Sequence, residues 1–462
     1  MYIPTSRNQF CINKYYSMRK IFFLFAALIL FSACSGNRSE VKEVSLKLDP
    51  SKAEWFKEAK FGMFIHWGLY SILEGSYGGH TMPDTSFPHG DSWYAEWIKP
   101  RLEVPDDEYN ALAGVFNPVK YDPESWVLEA KNAGMRYLVI TAKHHDGFAL
   151  WDSDVSDFDI VNTPYGKDLL APLVSACRKH GLKYGFYYSH WQDWEDPDGA
   201  QPFWFPFRKD EDFEKYWQGK SLPQVRELIE KFDPDLLWFD TWDWKNHITP
   251  ERRDELIRLV RTCSDKCLIN GRICYENPGD NIDFLEMHDN SYPKEILSKP
   301  WQTPATMQNS WGYHAKDFNW KPSKTMLGYL VNNVSKGGNY LLNIGPKADG
   351  TLPDPAVRRL REMGAWLGAN GEAVYGSVPS GLKADDPDIY LTEKQVDQKR
   401  LLYVLIAKEK TSVTIPAVLS KGCVALETGQ VMECSVEDGN TTIALPEKLF
   451  ADGSIVVLKA EI

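Results

Sequence analysis

The sequence predicts a (β/α)8-like barrel followed by a small antiparallel β-sandwich. Three observations predict it. From residue 61 to about 370, short apolar runs alternate with helical stretches that carry start and stop signals. The rhythm, about eight β/α units in roughly 310 residues, is that of a barrel of this kind. Beyond Asn370-Gly371-Glu372 the pattern changes to short alternating runs, such as Leu401 to Ala407, Thr411 to Ile415 and Ser454 to Leu458, separated by turn residues.

The expected strands are 61–66, 136–141, 183–188, 236–240, 267–270, 282–286, 305–310 and 339–344, with the sixth the weakest. Asp122-Pro123 is a helix cap followed by proline at the first helical position, with Gly134 past the end. Thr249-Pro250 repeats that start, and Ser323 opens a helix ending before Gly337-Gly338. The resulting organisation is a signal region at 1–33, a polar tether at 34–54, a catalytic barrel at 55–375 and a C-terminal sandwich at 376–462.

The chain has 462 residues, 43% hydrophobic and 25% charged, with a net charge of -12. That acidity excludes a nucleic-acid partner, which demands a basic face. Met18-Arg19-Lys20 followed by the apolar run Ile21 to Phe31 is the pattern of an export signal and is too short to span a bilayer. Met18 is the expected biological start. Ser32-Ala33-Cys34-Ser35-Gly36 resembles a bacterial lipoprotein signal, which makes Cys34 the expected lipid-modified residue of a periplasmic or outer-membrane lipoprotein. The remaining cysteines beyond it, Cys177, Cys263, Cys267, Cys274, Cys423 and Cys434, form no C-x-x-C pair and match no usual zinc spacing.

Chemistry on a barrel of this kind sits where strands end. Here those ends carry His66-Trp67-Gly68, Lys143-His144-His145-Asp146, His190-Trp191, Trp238-Phe239-Asp240, Asn270-Gly271-Arg272 and Glu286 in turn. Neutral imidazoles both donate and accept, which suits a ligand rich in hydroxyls. The loop after the first strand adds Ser92-Trp93-Tyr94-Ala95-Glu96-Trp97, an aromatic and acidic wall for a sugar pocket. A retaining glycosidase needs one carboxylate as nucleophile and a second as acid and then base. Asp240, at the end of an apolar strand with Arg272 on the next, fits the nucleophile. Glu286 is the favoured acid/base, with Glu276, Asp280, Asp283 and Glu295 nearby.

Five ordered motifs carry a resemblance: Phe61-Gly62-Met63-Phe64-Ile65-His66-Trp67-Gly68, His144-His145-Asp146-Gly147-Phe148, Leu236-Leu237-Trp238-Phe239-Asp240, Ser310-Trp311-Gly312-Tyr313, and Asn339 to Pro346 followed by Asp349-Gly350. Over residues 55–376 the chain resembles α-L-fucosidases of glycoside hydrolase family 29. The resemblance implies hydrolysis of terminal α-L-fucose from glycans or oligosaccharides, with retention through a fucosyl enzyme and no cofactor or metal. By motif, Asp240 matches the family nucleophile. His66, His144 and His145 match the histidines that hold fucose hydroxyls, and Glu96 and Trp97 match the pair lining the sugar. Trp238 matches the tryptophan before the nucleophile, and Arg272 the arginine of the next strand.

The acid/base segment departs from the pattern. Many members read Gly-Asp-Tyr-x-Thr-Pro-Glu, whereas this chain reads Gly279-Asp280-Asn281-Ile282-Asp283-Phe284-Leu285-Glu286. A second family pattern, Trp-Glu-x-Cys, appears as Trp301-Gln302-Thr303-Pro304. Three alternatives stand beside the main expectation: a glycosidase on a related sugar such as an α-L-galactoside, a catalytically impaired fucose-binding lipoprotein, and a metal-dependent hydrolase built on the histidines, against which the lack of an H-E-x-x-H pattern counts.

Overall fold

The computed structural model describes residues 44–205, 212–241, 247–274, 276–451, 453 and 455–462. The signal region, residues 34–43 of the tether and the lipidation expected at Cys34 lie outside the described residues.

Eight strands form the barrel: β1 (Phe61–Ile65), β2 (Tyr137–Lys143), β3 (Lys183–Tyr188), β4 (Leu236–Phe239), β5 (Leu268–Ile269), β6 (Leu285–Glu286), β7 (Trp301–Thr306) and β8 (Asn339–Ile344). They pair in the order β5-β4-β3-β2-β1-β8-β7-β6, each pair parallel. A parallel bridge between Asn270 and Phe284 joins the two outer strands and closes the sheet on itself. Burial on both faces explains the continuous apolar runs in the sequence. One face of the strands fills the interior with Phe64, Tyr137, Tyr187, Trp238, Phe284 and Leu341, stoppered from below by Phe56. Gly62 makes room for this layer, since a Cβ there would lie 2.4 Å from the Tyr137 ring.

The outer faces pack against helices α1 (Pro123–Asn132), α2 (Leu170–His180), α3 (Leu222–Phe232), α4 (Pro250–Cys263), α5 (Ser323–Ser335) and α6 (Asp354–Asn370). Asp122 caps α1 by accepting from the Ser125 N–H at 3.1 Å, and Thr249 caps α4 by accepting from Arg252 N–H at 3.4 Å. Among the described residues no such helix follows β5 or β6; a single 3-10 turn, Gly271–Cys274, follows β5.

The seventh strand lies at Trp301–Thr306, four residues before the stretch expected at 305–310. Pro304 argues against a central strand, because it cannot donate to the ladder. Its carbonyl faces the β6 side, where it accepts from the Asn290 N–H at 2.9 Å, beyond the end of β6 itself. The missing donor therefore falls where the neighbouring strand has already stopped.

After α6, two antiparallel sheets follow. One has the order β9 (Val378–Pro379), β10 (Ile389–Val396), β11 (Lys399–Ile406), β17 (Val456–Glu461), β13 (Lys421–Ala425), β14 (Val431–Met432); the other pairs β12 (Ser412–Ile415), β16 (Asn440–Ala444) and β15 (Cys434–Glu437). Leu402, Val404 and Leu458 of the first meet Val413, Ile415 and Ile443 of the second in a separate core. The opposite face of the larger sheet, through Tyr403, Leu405 and Val457, joins the barrel's outer core. Trp366 of α6 donates its indole N–H to the Ile455 carbonyl at 2.8 Å across this junction.

Candidate active site

A cavity of about 460 Å³ opens at the carboxyl ends of the strands. Its lining takes in the expected His66, Glu96, Trp97, His144, His145, Trp238, Asp240 and Arg272, and adds Phe64, Tyr94, Arg101, Tyr187, Thr241, His288, Asp289 and Trp311.

The β1 to β3 side is built from neutral imidazoles. His66, directly after β1, places Nδ1 2.7 Å from Asn343 Oδ1, and the Asn343 amide donates to the Trp311 carbonyl at 2.7 Å. The amide oxygen therefore faces the ring, which makes Nδ1 the protonated nitrogen and leaves Nε2 as an acceptor. Burial pushes His66 down to about 3, against the Asn343 hydrogen bond and the charge of Asp289. Burial also holds His144 and His145 well below the usual imidazole range, helped by the neighbouring positive groups. His144 stacks on Tyr187 at 5.2 Å and 9°. His145 Nδ1 lies 2.7 Å from Ser189 Oγ, whose own proton goes to the Gln192 carbonyl at 2.8 Å, so Nδ1 is the donor there.

A buried ion pair fixes the strand end that carries both residues. Lys143 Nζ meets Asp193 Oδ2 at 2.8 Å with both side chains fully enclosed, and Lys220 reaches the same oxygen at 3.1 Å. The chain crosses this pair at Gly147, where φ is 85° and a Cβ would lie 2.2 Å from Asp193 Oδ1.

Opposite, the site is charged. Asp240 follows β4, with its side chain 14% exposed in the cavity. Its Oδ1 accepts from Arg272 Nη1 at 3.2 Å, its Oδ2 from the Tyr187 hydroxyl at 3.1 Å, and its backbone carbonyl from the Trp191 indole at 2.8 Å. Burial raises Asp240 above the ordinary carboxylate value, opposed by the Arg272 guanidinium. Arg272 also donates through Nη2 to Asp289 Oδ1 and to the Met287 carbonyl, each at 2.7 Å. Its guanidinium stands 5.0 Å from the Trp238 ring centre.

The loop after β1 closes the wall. Glu96 is almost fully buried, accepts from the Gly312 N–H at 2.9 Å, and is raised to about 7 by burial. Trp97 packs edge-on against His145 at 5.0 Å.

Glu286 falls elsewhere than expected. It is not among the residues lining the cavity but sits inside the barrel, with Oε1 accepting from Gln302 Nε2 at 2.5 Å. Gln302 in turn accepts from the Tyr137 hydroxyl at 2.6 Å. The second Glu286 oxygen and the Trp238 indole N–H lie against each other with no other partner among the described residues. The physical reason is depth: on β6 an inward-pointing residue at this level meets the neighbouring β7 side chain, whereas His288 and Asp289, beyond the strand's end, reach the cavity. His190 is likewise below the rim, its Nε2 3.0 Å from the Ile273 carbonyl.

Comparison with known proteins places this arrangement. The sequence model of the family described as alpha-L-fucosidase matches residues 30–372. The tissue alpha-L-fucosidase of Bos taurus is 30% identical over 356 residues, covering 74% of this chain and 72% of that protein. The alpha-L-fucosidase structure from Vibrio sp. strain EJY3 superposes with a TM-score of 0.80 at 30% identity, covering 90% of this chain and 74% of the other. A family 29 alpha-L-fucosidase from Bacteroides thetaiotaomicron, trapped as a covalent intermediate with 2-fluoro-fucosyl fluoride in a glutamate-to-glutamine mutant, superposes at 0.78 with 25% identity, covering 90% of this chain and 96% of the other. Strand-end histidines facing an arginine-held aspartate, on a barrel of this closure and with these relatives, identify the chain as a member of the α-L-fucosidase family.

Proposed function

We propose that the chain is a retaining exo-α-L-fucosidase that removes terminal α-L-fucose from glycans and oligosaccharides. One observation carries this: Asp240 lies at the end of β4, oriented on both oxygens by Arg272 and Tyr187, on the floor of a cavity walled by three neutral histidines. An Asp240 oxygen attacks the anomeric carbon, the glycosidic bond breaks, and the sugar is left as an ester that water cleaves in a second step. Arg272 favours the ionised form of the attacking carboxylate against its burial. The histidines exchange hydrogen bonds with sugar hydroxyls, and Trp238, Phe64 and Trp311 offer apolar faces to the ring.

Asp240→Asn keeps the side chain's size and removes its nucleophilicity. Turnover of an aryl α-L-fucoside is expected to fall by at least roughly 10³-fold while fucose still binds, measured by stopped assay and by titration. Near wild-type turnover would remove the assignment. Export and a lipid anchor at Cys34 are a second proposal, supported by the basic start, the apolar run 21–31 and the small residues before Cys34. Cys34→Ala is expected to move the protein from the membrane fraction to the soluble fraction; unchanged partitioning would rule the anchor out.

A further inference from the structure

We propose that Asp289, in the loop after β6, is the acid and base that partners Asp240. The proposal rests on the retaining reading above. Three carboxyl side chains line the cavity among the described residues: Glu96, Asp240 and Asp289. Glu96 is sealed and committed to the Gly312 N–H. Asp289 is 33% exposed, so it reaches both the entering water and the departing alcohol.

Its placement is rigid. Met287 N–H donates to the Gln302 carbonyl at 3.0 Å and Asn290 N–H to the Pro304 carbonyl at 2.9 Å, so the loop is laced to β7 on either side of Asp289. Asn290, in the left-handed region at φ 52°, turns the chain there and takes the Thr306 N–H on its side-chain oxygen at 3.0 Å. Asp289 and Asp240 then bind the two ends of one guanidinium, a planar fork that sets two carboxyl groups at a fixed, short separation. A retaining pair requires its carboxyls about 5–5.5 Å apart, and the shared guanidinium keeps Asp240 and Asp289 neighbours at the same side of the cavity.

The shared arginine also suits both steps. Asp240 attacks the anomeric carbon, the bond to the leaving oxygen breaks, and Asp289 gives that oxygen its proton. The ester at Asp240 carries no charge, so Arg272 is left with Asp289 as its anionic partner. Asp289 then takes a proton from water as the water oxygen attacks the anomeric carbon, and the ester bond returns its electron pair to Asp240.

The test uses the whole protein and 2-fluoro-fucosyl fluoride first. Wild type is expected to carry the fluorofucosyl group on the Asp240 peptide by mass spectrometry; no label would overturn the retaining reading and this proposal with it. Asp289→Ala is then assayed on an aryl fucoside with a nitrophenol leaving group and on a fucosyl-galactose disaccharide. Disaccharide hydrolysis should fall by roughly 10²–10⁴-fold, with a burst of nitrophenol and slow turnover on the aryl substrate. Azide should accelerate that turnover and yield β-fucosyl azide. If Asp289→Ala does not fold, Asp289→Asn, which keeps an oxygen for Arg272, carries the same expectations. Normal labelling of Asp240 with no azide product from Asp289→Ala, or azide product from Glu286→Gln, Glu96→Gln or His288→Gln instead, would overturn the assignment of Asp289 and leave the retaining reading standing.

Discussion

On the β1 to β3 side of the cavity, three histidines are packed against aromatic rings and kept neutral by burial, with His66 and His145 each fixed in one tautomer by a neighbour. On the β4 to β6 side, Asp240, Arg272 and Asp289 share charge through one guanidinium. The neutral side grows from β1, β2 and β3, five to seven residues long, and the charged side relies on β5 and β6, which are two residues each. The contrast separates two jobs. A hydroxyl-binding wall must be rigid and must not change charge with pH, whereas a reacting pair needs charges whose balance shifts during the cycle.

That division can be broken at the neutral wall. His66→Ala, His144→Ala or His145→Ala is expected to cost about 1–3 kcal/mol of transition-state binding, roughly 5–150-fold in kcat/KM, because sugar hydroxyls lose buried partners. The acid limb of the pH profile should stay in place, since burial keeps these rings unprotonated throughout the working range. A limb that shifts when His66 is removed would show that its charge, not its hydrogen bond, matters.

A smaller effect sharpens the comparison from the charged side. Tyr187→Phe removes the hydroxyl that donates to Asp240 Oδ2 and leaves the ring that stacks on His144 and Trp238. The expected loss is about tenfold in kcat/KM, the scale of one hydrogen bond to a charged group. Asp240 must be ionised to attack, and burial already raises its pKa, so activity is lost as pH falls through that raised value. Without the Tyr187 donor the carboxylate is less favoured still, and the acid limb should move to higher pH. A limb that moves down or not at all would contradict the proposed role of Asp240.

Legibility follows the same division. His66, His144, His145 and Asp240 could be placed from sequence because each follows an apolar run whose end is unambiguous, and Trp238 because it lies two residues before Asp240 in the same run. Tyr187, inside β3, gave no such signal, since a tyrosine in an apolar strand reads equally well as core, and here it lies in both core and site. Where β5 and β6 shrink to two residues, periodicity cannot say which residue faces the cavity. Two positions separate buried Glu286 from rim-facing His288, and the offset of β7 caused by Pro304 hid the ladder that would have set the register. Trp311, present in a recognisable motif, reaches the cavity from the loop after β7, and its role as the carbonyl that orients Asn343 depends on a contact across 32 residues.

The smallest expected effect lies beneath the cavity, at Glu286→Gln. Burial raises the Glu286 carboxyl well above its ordinary value, so the folded protein keeps the proton to higher pH than the unfolded chain does. An unfolded glutamate releases that proton near pH 4.3, about the ordinary value. As pH rises past that point, the unfolded state gains relative to the folded one, and stability is lost until the folded value is reached. Glutamine has no proton to lose, and its carbonyl oxygen can still accept from Gln302 Nε2. The melting midpoint of Glu286→Gln relative to wild type is therefore expected to rise by roughly 1–4 °C from pH 4 to pH 7, on top of a pH-independent cost from its amide NH2, which faces the Trp238 indole N–H. Aryl fucoside turnover should stay within about fivefold of wild type, since the side chain lies outside the cavity lining. A difference of equal size at both pH values would assign the effect to packing and that cost alone, and a difference that falls from pH 4 to pH 7 would mean that the carboxyl is held there as an anion, which would make the interior beneath Trp238 as charged as the wall above it.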